Sequence, residues 1–295
     1  MRRFLSIAAF TAREILSGPL SLLLTDAAAV VAFLAAVMHC HQFGDASRMA
    51  REASFSAIVT GGALYAIFCT IKTVRSEFES GTADMALSHS VSRTSFFLAK
   101  TCGALAALAV FWATLSSLSV TIVNGSIIGA EAAAKKGDVP SMWGPSAVVA
   151  LSAILVPILV AAALNRFRSV RFALAAMRLT FILSVLSVAY RFDGALVARY
   201  FGAYLLLAMP PVVFAAAAAA FAVRWRDNIA ALASGVLFAL SVPALGNYCL
   251  SDALSRGGTV PWTYVALAAA AALFPLALAL AAGAYFMHLR DGEGA

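Results

Sequence analysis

Residues 101–125 read TCGALAALAVFWATLSSLSVTIVNG and contain no charged side chain. A segment of about 20 mostly apolar residues is long enough to cross the hydrocarbon core of a bilayer as an α-helix. The same character extends along the whole chain, which is 62% hydrophobic and has a mean hydropathy of +0.91. Soluble domains have only about 45–50% apolar residues. The sequence therefore predicts an all-α integral membrane protein.

Seven further segments have the length and composition of membrane-spanning helices. They are 17–38, 55–74, 146–164, 172–190, 203–223, 229–248 and 262–287. The segment 172–190 is the weakest, because the long side chain of Arg178 must reach the interface. Counting it gives a polytopic helical bundle of about eight spans. If it does not cross, 165–201 is a re-entrant or interfacial hairpin and six spans are possible.

The polar segments are too short for a separate soluble domain, so 1–295 is predicted to be a single transmembrane domain. One of them, 39–54, is expected to be an outer loop. A weak internal similarity links 156–190 with 210–248, since both run from proline through a basic turn to Phe-x-Leu-Ser-Val. Two helical hairpins of the same orientation would explain the similarity, and this favours eight spans.

The distribution of basic residues predicts the orientation of the bundle. With eight spans, most of the 21 lysines and arginines lie on the same side as both termini. Because basic loops stay in the cytoplasm, we expect the N- and C-termini to be cytoplasmic in a multi-pass protein, with the bacterial cytoplasmic membrane as its location. The net charge of +7 is then a matter of topology, and no nucleic-acid partner is expected.

Residues 1–16 are predicted to form an interfacial helix on the cytoplasmic face. The segment begins like a signal peptide, but Arg13 and Glu14 interrupt its apolar core. Its apolar stripe is imperfect and consists of Phe4, Ile7, Ala8 and Ile15. Pro19 then marks the beginning of the first span.

The polar segment SEFESGTADMALSHSVSRTSFFLAK, residues 76–100, separates the second and third spans. Gly81 can end the preceding helix. Thr82 is a suitable N-cap, and Asp84 lies in the following first turn, where a negative charge is favoured by the helix dipole. A short cytoplasmic helix over about 83–89 is therefore predicted. A segment that only connected two spans could be far shorter.

The third span is predicted to begin after this short helix. Ser90 or Ser92 would cap it, and both Arg93 and Lys100 are expected at headgroup level. The segment 75–100 as a whole is thus expected to be a structured cytoplasmic loop that projects from the membrane.

This loop contains a recognisable pattern, which is E-x-E-x-G-T followed by a Leu-Ser pair, V-S-R and a later lysine. The residues of the pattern are Glu77, Glu79, Gly81, Thr82, Leu87, Ser88, Val91, Ser92, Arg93 and Lys100. The pattern resembles the first cytoplasmic loop of type-2 ABC transporter permeases. The chain has Ser90 where that family usually has proline, and Ala86 where a second leucine is common. In the family, the loop contains a coupling helix that docks onto a separate ATPase subunit.

The resemblance implies a non-catalytic permease subunit of an ABC exporter. Its implied ATPase-coupling residues are Glu77, Glu79, Gly81, Thr82, Asp84, Leu87, Arg93 and Lys100. The partners would be an ABC ATPase subunit, a second or homologous permease, and membrane lipids. The sequence has no GxxxxGK[ST] loop to hold phosphates, so no cofactor is expected in this chain, and ATP and Mg²⁺ would bind to the partner subunit.

Other polar residues leave alternatives open. Asp26 lies inside the first span, where a charge is costly, and it would serve either as a hydrogen-bonded anchor across the bundle or as an ion relay. A relay would suit a stand-alone secondary transporter driven by an ion gradient, whereas a membrane scaffold would need neither Asp26 nor Glu79. His39, Cys40 and His41 could contact a metal, but the set is incomplete and no metal site is predicted.

Overall fold

The computed structural model describes residues 2–38, 46–80, 92–136, 145–169, 171–190, 192–225, 227–241, 254 and 258–289. Within these residues all regular secondary structure is helical, which confirms the all-α prediction. The helices are α1 (Arg2–Leu16), α2 (Pro19–Met38), α3 (Ala46–Glu79), α4 (Arg93–Lys136), α5 (Pro145–Arg168), α6 (Phe172–Ala189), α7 (Gly194–Arg224), α8 (Asp227–Ser241) and α9 (Trp262–Leu289).

The centre of the bundle is formed by α3, α4 and α7, which pack against one another. Large apolar side chains fill the space between them, among them Phe55, Phe111 and Leu118, all nearly inaccessible. Around this core α2 covers α3, α6 covers α4, and α9 covers α7. The first and last helices, α1 and α9, both contact α4.

The outer helices present large apolar side chains to their surroundings. On α5 these include Leu151, Leu155 and Leu159, and on α9 they include Leu267, Leu273 and Phe274. An apolar surface of this extent marks contact with a membrane. Six of the described helices are long and apolar enough to span a bilayer, and the bent pair α1–α2 could add a seventh. The fold is that of a multi-pass membrane protein.

Each predicted span coincides with one helix from α2 to α9. The weakest prediction, 172–190, is α6 (Phe172–Ala189), an 18-residue helix that satisfies the criteria for a span. By contrast α8 is described only for Asp227–Ser241, so about a third of the predicted span 229–248 lies outside the described residues. The count of eight spans stays a prediction.

Two helices extend well beyond the predicted spans. The predicted span 55–74 lies within α3, which has 34 residues, and 101–125 lies within α4, which has 44. The expectation that 39–54 is a loop is wrong from Ala46 onward, where α3 begins. Alanine, glutamate and lysine are strong helix formers, so the helices continue where hydropathy falls.

Contacts between side chains define the two ends of the bundle. At one end Glu77 of α3 meets Lys100 of α4, and His288 of α9 lies 3.4 Å from the hydroxyl of Thr94. We call this the charged end. At the far end Arg51 of α3 meets Tyr200 of α7. Glu14 of α1 also approaches Lys100, so α1 and the end of α9 both lie at the charged end.

Candidate functional site

A cluster of three charged side chains lies at the charged end. Lys100 of α4 forms an ion pair with Glu77 of α3, and its Nζ is 3.9 Å from Oε2 of Glu14 on α1. The side chain of Lys100 is only 3% exposed and that of Glu77 is 15% exposed. We call these three residues the charge cluster. It joins α1, α3 and α4 near the end of α3 and the beginning of α4.

Two aromatic rings complete the environment of the lysine. The ring centroids of Phe10 on α1 and Phe96 on α4 each lie 6.0 Å from Nζ of Lys100, a distance compatible with cation–π attraction. The headgroup-level depth of Lys100 stays a prediction, whereas its burial between helices was not predicted. Its ammonium group is buried because Glu77 neutralises it and the rings cover it. Sequence position alone does not reveal that pairing.

Glu14 is the weaker acidic partner of the cluster. It lies on α1, the helix predicted to be interfacial, and burial raises the pKa of its carboxyl group. Lys100 acts in the opposite direction and Glu77 adds to the rise, because a second negative charge disfavours ionisation. Oε2 of Glu14 is buried and accepts no hydrogen bond from the described part of the chain. The cluster thus contains two acids and one base, with the base closest to Glu77.

Two glycines allow helices to pack closely beside the cluster. A Cβ atom at Gly103 of α4 would lie 2.5 Å from the carbonyl oxygen of Ala8 and 2.6 Å from Cβ of Thr11, both on α1. A Cβ atom at Gly283 of α9 would overlap the ring of Phe97 on α4. Residues with a side chain do not fit at either contact. Both α1 and α9 are therefore held against α4 within one turn of Lys100.

Glu79 points away from the cluster. Its side chain is 60% exposed, and its Oε1 pairs with Nε of Arg75 at 3.0 Å, one turn earlier on α3. Residues two positions apart on a helix face nearly opposite directions, which separates Glu79 from the inward-facing Glu77. The structure describes four of the eight residues proposed for coupling, and these four include the buried Glu77 and Lys100 as well as the exposed Glu79.

The beginning of α4 agrees with its prediction. Oγ of Ser92 accepts a hydrogen bond from the backbone N–H of Ser95 at 3.3 Å, so Ser92 caps the helix. Arg93 follows as the first, half-buried residue of α4. The preceding residues Gly81, Thr82, Asp84 and Leu87, and with them the predicted helix over 83–89, lie outside the described residues.

Asp26 is half-buried in α2. Its Oδ1 is inaccessible to solvent and makes no hydrogen bond with the residues described. The anchoring hydrogen bond that we expected across the bundle is therefore not seen at this oxygen. One turn earlier, Ser21 and Tyr65 provide such a bond between α2 and α3, with their hydroxyl oxygens 2.8 Å apart. The sequence does not single out Ser21 for this role, because serine is frequent in apolar segments.

Arg51 is a second buried cation that sequence reasoning missed. It is 2% exposed, and its Nη1 lies 3.4 Å from the hydroxyl of Tyr200. Tyr200 in turn packs against Phe55 and Tyr204. We placed Arg51 in an outer loop, whereas the structure places it in the second turn of α3, facing the core.

The candidate metal ligands His39, Cys40 and His41 fall outside the described residues. Within the part of the chain that the structure does describe, no group of three histidines, cysteines or carboxylates could hold a metal ion.

Comparison with known proteins adds no relative. No protein-family model matches the chain, and no curated protein or solved structure is significantly similar to it. The fold and the site define a polytopic helical membrane protein with a buried charge cluster at one end.

Proposed function

We propose that the chain is the permease subunit of an ABC exporter of the type-2 kind, driven by a separate ATPase subunit. One observation carries the proposal: the charge cluster ties together the two helices on either side of 81–91. Glu77 precedes this segment and Lys100 follows it. This segment is the one whose sequence resembles the coupling loop of that family.

The charge cluster would give the loop a mechanical connection to the bundle. A force applied to 81–91 acts on the end of α3 and the beginning of α4, and the ion pair makes these two ends move as one. Glu14 and the close contact at Gly103 extend the connection to α1. Because α3 and α4 form the close-packed core, a shift at their ends moves whole helices rather than a single turn.

The remaining features of the proposal follow from the sequence. ATP and Mg²⁺ would bind to the partner, since this chain lacks a phosphate-binding loop. The charged end would face the cytoplasm, eight helices would span the bacterial cytoplasmic membrane, and two permease copies or two related permeases would bind two ATPase subunits. The ATPase would contact the exposed Glu79 and the segment 82–89. Glu77 and Lys100 would transmit the motion of the ATPase to the bundle.

Co-purification tests the proposal. The chain is expressed with candidate ABC ATPase subunits from the same cell, extracted in mild detergent, and assayed for a bound ATPase and for ATP hydrolysis. We expect stoichiometric capture that is lost on Glu79→Lys or on deletion of 82–89. Glu52→Lys is the matched control, because Glu52 forms the same i,i+4 pair with Arg48 at the far end of α3. Equal capture by wild type and Glu79→Lys would contradict the proposed docking surface.

A second candidate function rests on Asp26. A buried carboxylate oxygen without a hydrogen bond inside a span is a feature of ion and proton pathways. A secondary transporter would work without any ATPase, and Asp26→Asn would abolish its ion-gradient-driven transport. The co-purification experiment separates the two functions, since a folded and abundant protein that captures no ATPase would favour Asp26.

A further inference from the structure

A cavity of about 330 Å³ opens at the far end of the bundle, between the beginning of α7 and the beginning of α9. Its wall consists of Ala195, Ala198, Arg199, Gly202, Thr259, Val260, Pro261 and Trp262. Pockets that bind small molecules have volumes of about 300–1,000 Å³, so this cavity is large enough for a headgroup. It lies at the opposite end from the charge cluster and does not depend on the proposed function.

The wall carries one charged side chain, that of Arg199. No residue that the structure describes forms a hydrogen bond or an ion pair with this guanidinium group. The nearby acid in sequence, Asp193, is engaged elsewhere: its Oδ1 accepts hydrogen bonds from the backbone N–H groups of Ala195 and Leu196, at 2.9 and 3.2 Å. Arg199 therefore offers its donors to the cavity, where an anion would satisfy them.

The aromatic residues around the cavity indicate its depth in the membrane. Trp262 lines the cavity and packs against Phe201 with ring centroids 6.2 Å apart, and Tyr264 is exposed in the same first turn of α9. Tryptophan and tyrosine concentrate at the level of lipid headgroups. In the middle of α9, from Leu267 to Leu278, the large exposed side chains are leucine and phenylalanine. The cavity thus lies at headgroup depth, above a surface suited to acyl chains.

We propose that this cavity binds the phosphate group of an anionic membrane phospholipid. The guanidinium of Arg199 would donate paired, charge-assisted hydrogen bonds to the phosphate oxygens. Thr259 provides a hydroxyl group beside it, and Trp262 borders the glycerol region. The acyl chains lie along the exposed face of α9. The site selects lipids by charge, so a zwitterionic lipid of the same chain length binds more weakly.

Lipid retention by the purified full-length protein tests this site. The protein is incubated with a mixture of phosphatidylglycerol and phosphatidylcholine in detergent, and the bound lipid is identified by native mass spectrometry. We expect wild type to retain phosphatidylglycerol preferentially, and Arg199→Gln to retain about ten-fold less, which corresponds to the loss of one charge-assisted contact. Arg168→Gln is the matched control, because Arg168 is an exposed arginine at the charged end.

A second variant keeps the charge and removes the space. Ala198→Leu fills the cavity while Arg199 stays in place, so it should also lower retention if the protein elutes as a folded species. Equal retention by wild type and Arg199→Gln, or equal binding of the two lipids, would overturn the proposal. Displacement of the lipid by free glycerol phosphate at low concentration would also overturn it and would assign the cavity to a soluble phosphate ester.

Discussion

The side chain of Lys100 is buried against the carboxylate of Glu77, and the two residues flank the most polar loop of the chain. They are 23 positions apart in sequence and lie on antiparallel helices. The pair therefore fixes the register of α3 against α4 where the loop begins and ends. A buried ion pair of this kind adds little net stability, but it is costly to break from one side only.

Removal of Lys100 should destabilise the protein more than removal of Glu77. Lys100→Met removes the buried cation that lies between Glu77 and Glu14, at a cost of about 3–5 kcal/mol. Glu77→Gln leaves Lys100 with Glu14 as a remaining partner and should cost less. Thermal unfolding in detergent, monitored as the loss of monodisperse protein, shows which variant is less stable. Because the residues are coupled, the double variant should be less damaged than the sum of the single variants, and strict additivity would contradict the ion pair.

A side chain at Gly103 should displace α1 from α4. The Cβ atom of Gly103→Ala meets the backbone of α1 at Ala8, and overpacking of this kind costs about 1–3 kcal/mol. Faster proteolysis within 1–16 would report the displacement. Gly235→Ala is the control, since its Cβ atom would meet nothing within 4 Å and should be neutral or mildly stabilising. Equal proteolysis of the two variants would show that the contact is not close.

Glu14 should make the stability of the protein fall as pH rises. The pKa of its carboxyl group is raised above the ordinary 4.5, so the folded state binds the proton more tightly than the unfolded state. Its contribution is complete below pH 4.5 and is lost as pH rises through the folded-state pKa. We expect Glu14→Gln to gain stability relative to wild type over that interval. Glu79→Gln, at an exposed carboxylate, is the control, and a pH-independent difference for Glu14→Gln would refute the assignment.

Loss of the hydrogen bond between Ser21 and Tyr65 should loosen α2 from α3. Tyr65→Phe keeps the ring stacked on Phe111 and removes only the hydroxyl group. Hydrogen bonds between membrane helices contribute about 0.6 kcal/mol on average, with a maximum near 1.7, so a small drop in melting temperature is expected. Tyr285→Phe, which alters an exposed tyrosine, should have no measurable effect.

The sequence predicted the positions of the apolar helices well because the hydrocarbon core imposes a length and a composition on each membrane-spanning helix. It did not predict the ends of α3 and α4, since helix propensity continues past the apolar residues at both Ala46 and Lys136. The sequence also did not predict that Lys100 is buried. A lysine beside an apolar segment can be solvated or can pair with an acid, and the neighbouring helix determines which of the two occurs. The burial of Arg51 at the far end was not predicted for the same reason.

The length of α4 has a consequence for how the two ends of the bundle communicate. One helix of 44 residues is about 66 Å long, and it contains both Lys100 and, about six to eight turns later, Thr121–Gly129. This helix contains no proline that would kink it. A rotation or tilt of α4 beside the charge cluster therefore also moves the opposite end of the helix. A motion that begins at one face of the membrane reaches the other face in this way.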